Sequence, residues 1–133
     1  MNENLMCVRE KVLDYGKDKF PDLKVYAILI YGGASKYYLN LEGSRLNDYD
    51  INLFFISEKS NTHVSTRGKP KYIDEYEGKR IEVMRNLIID NPSNFNEETF
   101  KKFIKNKTSK RWKSICSQRV ILIYPEIREL KLF

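Results

Sequence analysis

The sequence has few of the residues that build disulfide frameworks and metal cages. Among its 133 residues are two cysteines, Cys7 and Cys116, and one histidine, His63. Two cysteines form neither a disulfide framework nor, by themselves, a metal site, and we expect both to be buried thiols. His63 lies in a polar stretch with no clustered cysteine or aspartate nearby, so we predict that it is neither a ligand nor a base.

Long apolar runs are also missing. No stretch approaches the roughly 20 apolar residues that a membrane-spanning helix requires, and the first ten residues, MNENLMCVRE, lack the apolar run of a signal peptide. Hydrophobic residues nevertheless make up 41% of the chain and aromatic residues 13%, a content too high for a disordered tail. We therefore expect a cytoplasmic protein with a single domain over residues 1–133.

The positive charge is concentrated in one segment. Residues 1–100 hold 14 Lys and Arg against 16 Asp and Glu, so the net charge of +6 does not come from them. Residues 101–119 hold eight basic residues and no acid: Lys101, Lys102, Lys105, Lys107, Lys110, Arg111, Lys113 and Arg119. This basic segment suggests a polyanionic partner such as RNA, although on charge alone a solvated helix face is the favoured interpretation.

Hydrophobic spacing predicts an α/β (α+β) domain, with helices packed on a single mixed β-sheet. Gly16 and Pro21 are expected to end the first helix, and residues 57–69 are expected to form a loop. The predicted helices cover residues 2–18, 34–41 (a short helix or turn), 94–105 and 109–117. The predicted strands cover residues 24–31, 48–56, 71–77, 79–85 and 119–124.

The strand that ends at Gly32-Gly33 carries the first functional signal. Without Cβ atoms, the two glycines let the backbone approach a ligand closely. Ser35 adds a hydroxyl near the free N–H groups of a helix start, a setting that suits phosphate oxygens. Gly32, Gly33 and Ser35 are therefore the predicted phosphate-binding residues.

Three carboxylates carry the second signal. Alternation along the next strand places Asp48 and Asp50 on one face, and Ile81 and Val83 turn Glu82 away from the core. Adjacent carboxylates repel one another unless a proton or a cation lies between them, and near phosphate the natural cation is Mg²⁺. We therefore predict a magnesium site at Asp48, Asp50 and Glu82. In an alternative register Asp50 and Asn52 form the pair, with one charged ligand fewer.

The order Gly32-Gly33-x-Ser35, then Asp48-Tyr49-Asp50, then Glu82 resembles the signature of the polymerase-beta-like nucleotidyltransferases. In that family a strand ends in Gly-Ser or Gly-Gly, the next strand carries Asp-hydrophobic-Asp, and a third acid follows. The segment from Gln118 to Pro125 also resembles the last strand of the minimal members. The Gly33 position is usually serine in the family, and the 16 positions from Gly32 to Asp48 exceed the spacing of compact members.

The resemblance implies a catalytic role for Asp48, Asp50 and Glu82, with Mg²⁺ as cofactor and a nucleoside triphosphate, such as ATP, as substrate. Family members transfer a nucleoside monophosphate to a hydroxyl of a protein, an RNA or a small molecule. Minimal members are often the antitoxin partners of a helical ribonuclease toxin. At 133 residues the chain is expected to lack the acceptor-binding domain of larger members, so a partner or a homodimer would complete the cleft.

A different class of function stays open. The chain could be a catalytically inactive module on the same fold that binds nucleic acid or a protein partner through the basic segment. In that case Asn52 would be the sign of a decayed site, and nucleic-acid binding would depend steeply on salt without requiring a metal.

Overall fold

The computed structural model describes residues 2–57, 70–89, 94–106, 113 and 119–132. Within these residues the chain forms a mixed α/β fold of three helices and one six-stranded sheet. The elements in chain order are α1 (Asn2–Lys19), β1 (Leu23–Tyr31), α2 (Gly33–Tyr38), β2 (Asp48–Ser57), β3 (Lys71–Tyr76), β4 (Lys79–Ile89), α3 (Glu97–Lys105), β5 (Val120–Tyr124) and β6 (Arg128–Leu130).

The sheet has the strand order β3-β4-β2-β1-β5-β6. β2 and β4 run parallel, and every other neighbouring pair is antiparallel. β1 lies near the middle, and its residues 26–31 are all buried, as expected of an apolar strand covered on both faces. The predicted α+β class and single mixed sheet are confirmed.

One face of the sheet is covered by α1 and α2. Leu5, Val8 and Val12 follow helical spacing along α1 and are fully buried against this face. The helix predicted over 2–18 is confirmed with one further residue, since α1 ends at Lys19, before Pro21; Gly16 does not end it but lies inside the helix. A Cβ at Gly16 would lie 3.4 Å from Phe55, so the glycine lets the helix approach the strand closely.

The same helix overturns the expectation for one of the two cysteines. Cys7 is exposed on α1, whereas its neighbour Val8 is fully buried. The two differ because adjacent helical residues point about 100° apart, so only Val8 joins the apolar stripe. Cys116 and His63 lie outside the described residues.

The opposite face of the sheet is covered by α3. Asn96 begins this helix as its N-cap, with its side-chain oxygen accepting from the N–H of Thr99 at 3.0 Å. Phe100 is fully buried, and its ring meets that of Phe54 on β2 at 4.7 Å between centroids. These two aromatic residues fix the helix on the sheet.

The remaining differences from the predicted elements are at their ends. β4 extends to Ile89, α3 begins at Glu97, and β6 (Arg128–Leu130) pairs with β5 although no strand was predicted there. Ser57 belongs to β2, and residues 58–69 of the predicted loop lie outside the described residues. Of the predicted helix over 109–117, only Lys113 is described.

Among the described parts of the chain, we find no helix that is both long and apolar enough to cross a membrane.

Replacing Phe100 with alanine should lower the free energy of unfolding by about 3–5 kcal/mol, because it removes a fully buried ring and leaves a cavity. Urea denaturation measures the change. Tyr37→Ala is the matched control, because that ring is 44% exposed and should contribute much less. Equal losses in both variants would contradict the assignment of Phe100 to the core.

Candidate active site

Parallel pairing of β2 and β4 brings the predicted carboxylates together. In the register of the two strands Asp50 lies opposite Glu82, and Asp48 lies opposite Arg80. Asp48 and Asp50 share a face because successive side chains alternate, and residues opposite one another on neighbouring strands share a face as well. With strands about 4.8 Å apart, Asp50 and Glu82 are adjacent.

Gly32 lies directly against this group. It follows β1, whose last residue, Tyr31, pairs with Asp50. Gly32 has φ of +74°, and a Cβ there would lie 3.5 Å from Oδ2 of Asp50. The left-handed backbone favours glycine at this position, whereas a Cβ at 3.5 Å would make only an ordinary van der Waals contact with the carboxylate. The structure therefore brings one of the predicted phosphate-binding residues beside the carboxylates.

The electrostatics of Asp50 reflect this crowding. Burial raises the pKa of Asp50, and the negative charges of Glu82 and then Asp48 raise it further. Each cause disfavours the ionised form of Asp50. A cation bound between these carboxylates would act in the opposite direction and favour ionisation.

Arg80 already supplies one positive charge to the group. Its Nε donates to Oε1 of Glu82 at 3.0 Å. Its guanidinium carbon lies 4.6 Å from the centre of the Tyr72 ring on β3, within the range of a cation–π contact. We did not predict this residue from the sequence, although its position two residues before Glu82, on the same strand face, was a usable signal.

The residues present fit Mg²⁺ in their chemistry, because carboxylate oxygens are the ligands it prefers. Asp48 and Asp50 offer such oxygens on one face. Glu82 is bonded to Arg80 instead, and across the described ranges no group of three or more His, Cys, Asp or Glu residues is arranged to hold a metal ion. In a three-carboxylate metal site Arg80 would compete with the metal ion for Glu82, since its bond takes one of the two carboxylate oxygens.

Ser35 lies inside the fold, whereas Gly33 is exposed. Ser35 is fully buried, and its hydroxyl donates to the backbone carbonyl of Arg119, next to β5. A Cβ at Gly33 would lie 3.3 Å from the carbonyl oxygen of Arg45. The Ser35 bond thus ties α2 to the residue before β5, and Gly32 is the member of the predicted phosphate-binding set that lies beside the carboxylates.

Asn52 continues the face of Asp48 and Asp50 toward the middle of the sheet. It is fully buried, and neither Oδ1 nor Nδ2 has a hydrogen-bond partner among the described residues. The sequence offered two pairs, Asp48 with Asp50 and Asp50 with Asn52. Asp50 belongs to both pairs, and it lies beside Gly32 and opposite Glu82. Nothing in the sequence pattern indicated that the Asn52 amide would be buried without partners.

Part of the basic segment is engaged by acids. Lys101 on α3 lies 3.8 Å from Glu97, and Arg119 makes two hydrogen bonds to Glu129 on β6. The described basic residues of this segment are Lys101, Lys102, Lys105, Lys113 and Arg119; Lys107, Lys110 and Arg111 lie outside the described residues.

Comparison with known proteins adds no relative. No protein-family model, no curated protein and no solved structure matches this chain.

The raised pKa of Asp50 predicts a pH-dependent stability. Because the pKa of Asp50 is higher in the folded protein than in the unfolded chain, the folded protein binds the Asp50 proton more tightly. The free energy of unfolding therefore falls as pH rises from the ordinary Asp pKa to the raised pKa of Asp50. Asp50→Asn should therefore be more stable than wild type at neutral pH, with the advantage shrinking as pH falls through that window. Urea denaturation at a series of pH values measures the difference.

Asp74→Asn is the control for this prediction. The N–H of Glu75 and the ammonium of Lys11 hold the pKa of Asp74 below its usual range. The ionised Asp74 carboxylate therefore stabilises the folded protein above the ordinary Asp pKa, and this stabilisation is lost as pH falls. Asp74→Asn should be less stable than wild type at neutral pH. The same sign of change in both variants would contradict the account of Asp50.

Asn52→Leu should raise the free energy of unfolding by about 1–3 kcal/mol, because it removes two buried polar atoms that have no partners and keeps the number and branching of heavy atoms. Thermal and urea denaturation measure the gain. Asn47→Leu is the control, since Asn47 is exposed and should change stability by less than about 0.5 kcal/mol. A loss of stability in Asn52→Leu would show that the amide has partners in the folded protein.

Proposed function

We propose that the protein is a Mg²⁺-dependent nucleotidyltransferase that moves a nucleoside monophosphate from a nucleoside triphosphate to a hydroxyl acceptor. The observation that carries the proposal is the meeting of three elements at Asp50. Gly32 lies beside its carboxylate at the end of β1, Glu82 lies opposite it on the parallel strand, and Asp48 lies on the same face. Both the charge crowding and the nearby glycine fit a metal-bound phosphate at this position.

Each residue has a role in such a reaction. An acceptor hydroxyl attacks the α-phosphorus and pyrophosphate leaves. Asp48 and Asp50 would hold Mg²⁺, which neutralises charge on the attacking and leaving oxygens. Gly32 would leave space for phosphate oxygens beside Asp50, since it carries no side chain. Glu82, once free of Arg80, would orient the acceptor hydroxyl or accept its proton.

The acceptor is left open within this proposal. A hydroxyl of a protein, an RNA or a small molecule would serve, and the family resemblance adds a helical ribonuclease toxin as one possible protein partner. A homodimer is the other way to complete the acceptor side. RNA contact through the basic segment is supported least, because Lys101 and Arg119 already pair with Glu97 and Glu129.

Thermal shift with Mg²⁺ and each of ATP, GTP, CTP and UTP tests the proposal. At 100 times its dissociation constant a nucleotide stabilises the folded protein by about 2.7 kcal/mol, so the preferred nucleotide should raise the Tm clearly. The Asp48→Asn, Asp50→Asn double variant should lose that shift. It should also lose transfer of label from an α-labelled nucleotide to a protein or RNA acceptor.

The matched control is the Asp14→Asn, Asp18→Asn double variant, which makes the same change of charge at two exposed positions of α1. It should keep the nucleotide shift of wild type. An unchanged shift and unchanged transfer in the Asp48 and Asp50 variant would refute the proposal. Metal-independent RNA binding that weakens steeply with salt, without a nucleotide shift, would favour the non-catalytic module instead.

A further inference from the structure

Arg80 is the one cation bonded to the candidate carboxylate site among the described residues. Along β4 it lies two residues before Glu82, to which it donates a hydrogen bond, and across the register it lies opposite Asp48. Its side chain is 57% exposed, whereas that of Glu82 is 23% exposed. The guanidinium thus lies at the solvent side of the carboxylates.

The bond between Arg80 and Glu82 is of a kind that exchanges readily. An ion pair with one largely exposed partner contributes little to stability, because water competes for both groups. The same bond takes one oxygen, Oε1, of the carboxylate that would provide a third metal ligand. In the free protein Arg80 therefore stands in the place of a metal cation toward Glu82.

The contact with Tyr72 prepares Arg80 for a second partner. The ring packs against the guanidinium, with 4.6 Å between the guanidinium carbon and the ring centre. A guanidinium stacked on an aromatic ring keeps its N–H donors at the edge of its plane, where they match the oxygens of a phosphate two at a time. An anion arriving beside Asp48 and Glu82 with its own metal ion would meet these donors.

We propose that Arg80 binds the triphosphate of the substrate and exchanges partners when the substrate arrives. The inference rests on the proposed function, because it assigns a residue to the same site. In the free protein Arg80 neutralises Glu82. When Mg²⁺ and the triphosphate bind, Glu82 turns to the metal and Arg80 turns its donors to the phosphate oxygens, with Tyr72 holding the guanidinium face throughout.

Partner exchange makes two predictions of opposite sign for Arg80→Gln. Mg²⁺ alone should bind about two- to fivefold more tightly, because the cation that competes for Glu82 is gone. Inorganic triphosphate with Mg²⁺ should bind at least about tenfold more weakly, because the charged donors are gone. Isothermal titration calorimetry with Mg²⁺ alone, and then with inorganic triphosphate, measures both constants.

Lys79→Gln is the matched control. It makes the same change of charge one residue earlier on β4, where alternation turns the side chain to the other face of the sheet. It should leave both affinities near those of wild type. Arg80→Lys keeps the charge but loses the planar donors, so it should bind Mg²⁺ like wild type and triphosphate more weakly.

The outcomes separate this inference from the proposed function. If wild type binds neither Mg²⁺ nor triphosphate, the proposed function fails and the role of Arg80 fails with it. If wild type binds both, and Arg80→Gln behaves like Lys79→Gln or weakens both affinities together, only the role of Arg80 is overturned. The free energy of unfolding of Arg80→Gln should lie within about 1 kcal/mol of that of wild type, since Arg80 is largely exposed. If Arg80→Gln proves less stable than that, the affinities of Arg80→Lys decide whether Arg80 binds triphosphate.

Discussion

The parallel pairing of β2 with β4 is the interaction on which the candidate site depends. The chain leaves β2, forms β3 at the edge, and returns through β4 between the two, so that β4 runs in the same direction as β2. This arrangement places Asp50 and Glu82 at one level of the sheet. A register shift of one residue would turn Glu82 to the opposite face, among the apolar residues below α1.

The carboxylates of Asp50 and Glu82 lie at one level of the sheet with Asp48 beside them, and this crowding affects the pKa of Asp50. The apolar residues that line the rest of the face reduce the hydration of Asp50, and its neighbours add repulsion, so both raise its pKa. Arg80 partly compensates by bonding to Glu82. The same crowding that is unfavourable in the free protein favours a divalent cation and the phosphates that accompany it.

Most of the secondary structure and the grouping of the carboxylates could be predicted from the sequence. Short apolar runs of strand-forming residues located β1, β2 and β5, and the alternation of side chains placed Asp48 and Asp50 on one face. Both kinds of signal are local. The short strand β6 was missed because its three residues form a strand only through pairing with β5. Gly16 was misjudged because glycine in a helix can serve close packing against a distant strand, here at Phe55.

By itself, the sequence determined the fold class, five of the six strands, and the presence of glycine and carboxylates at strand ends, because these follow from local patterns of polarity and side-chain direction. Only the tertiary structure decided that Gly32 lies beside Asp50, that the Ser35 hydroxyl bonds to Arg119, and that the amide of Asn52 is buried without a partner among the described residues. These contacts join residues on different strands or depend on what covers a side chain. They are fixed by register and packing, which single-strand patterns do not encode.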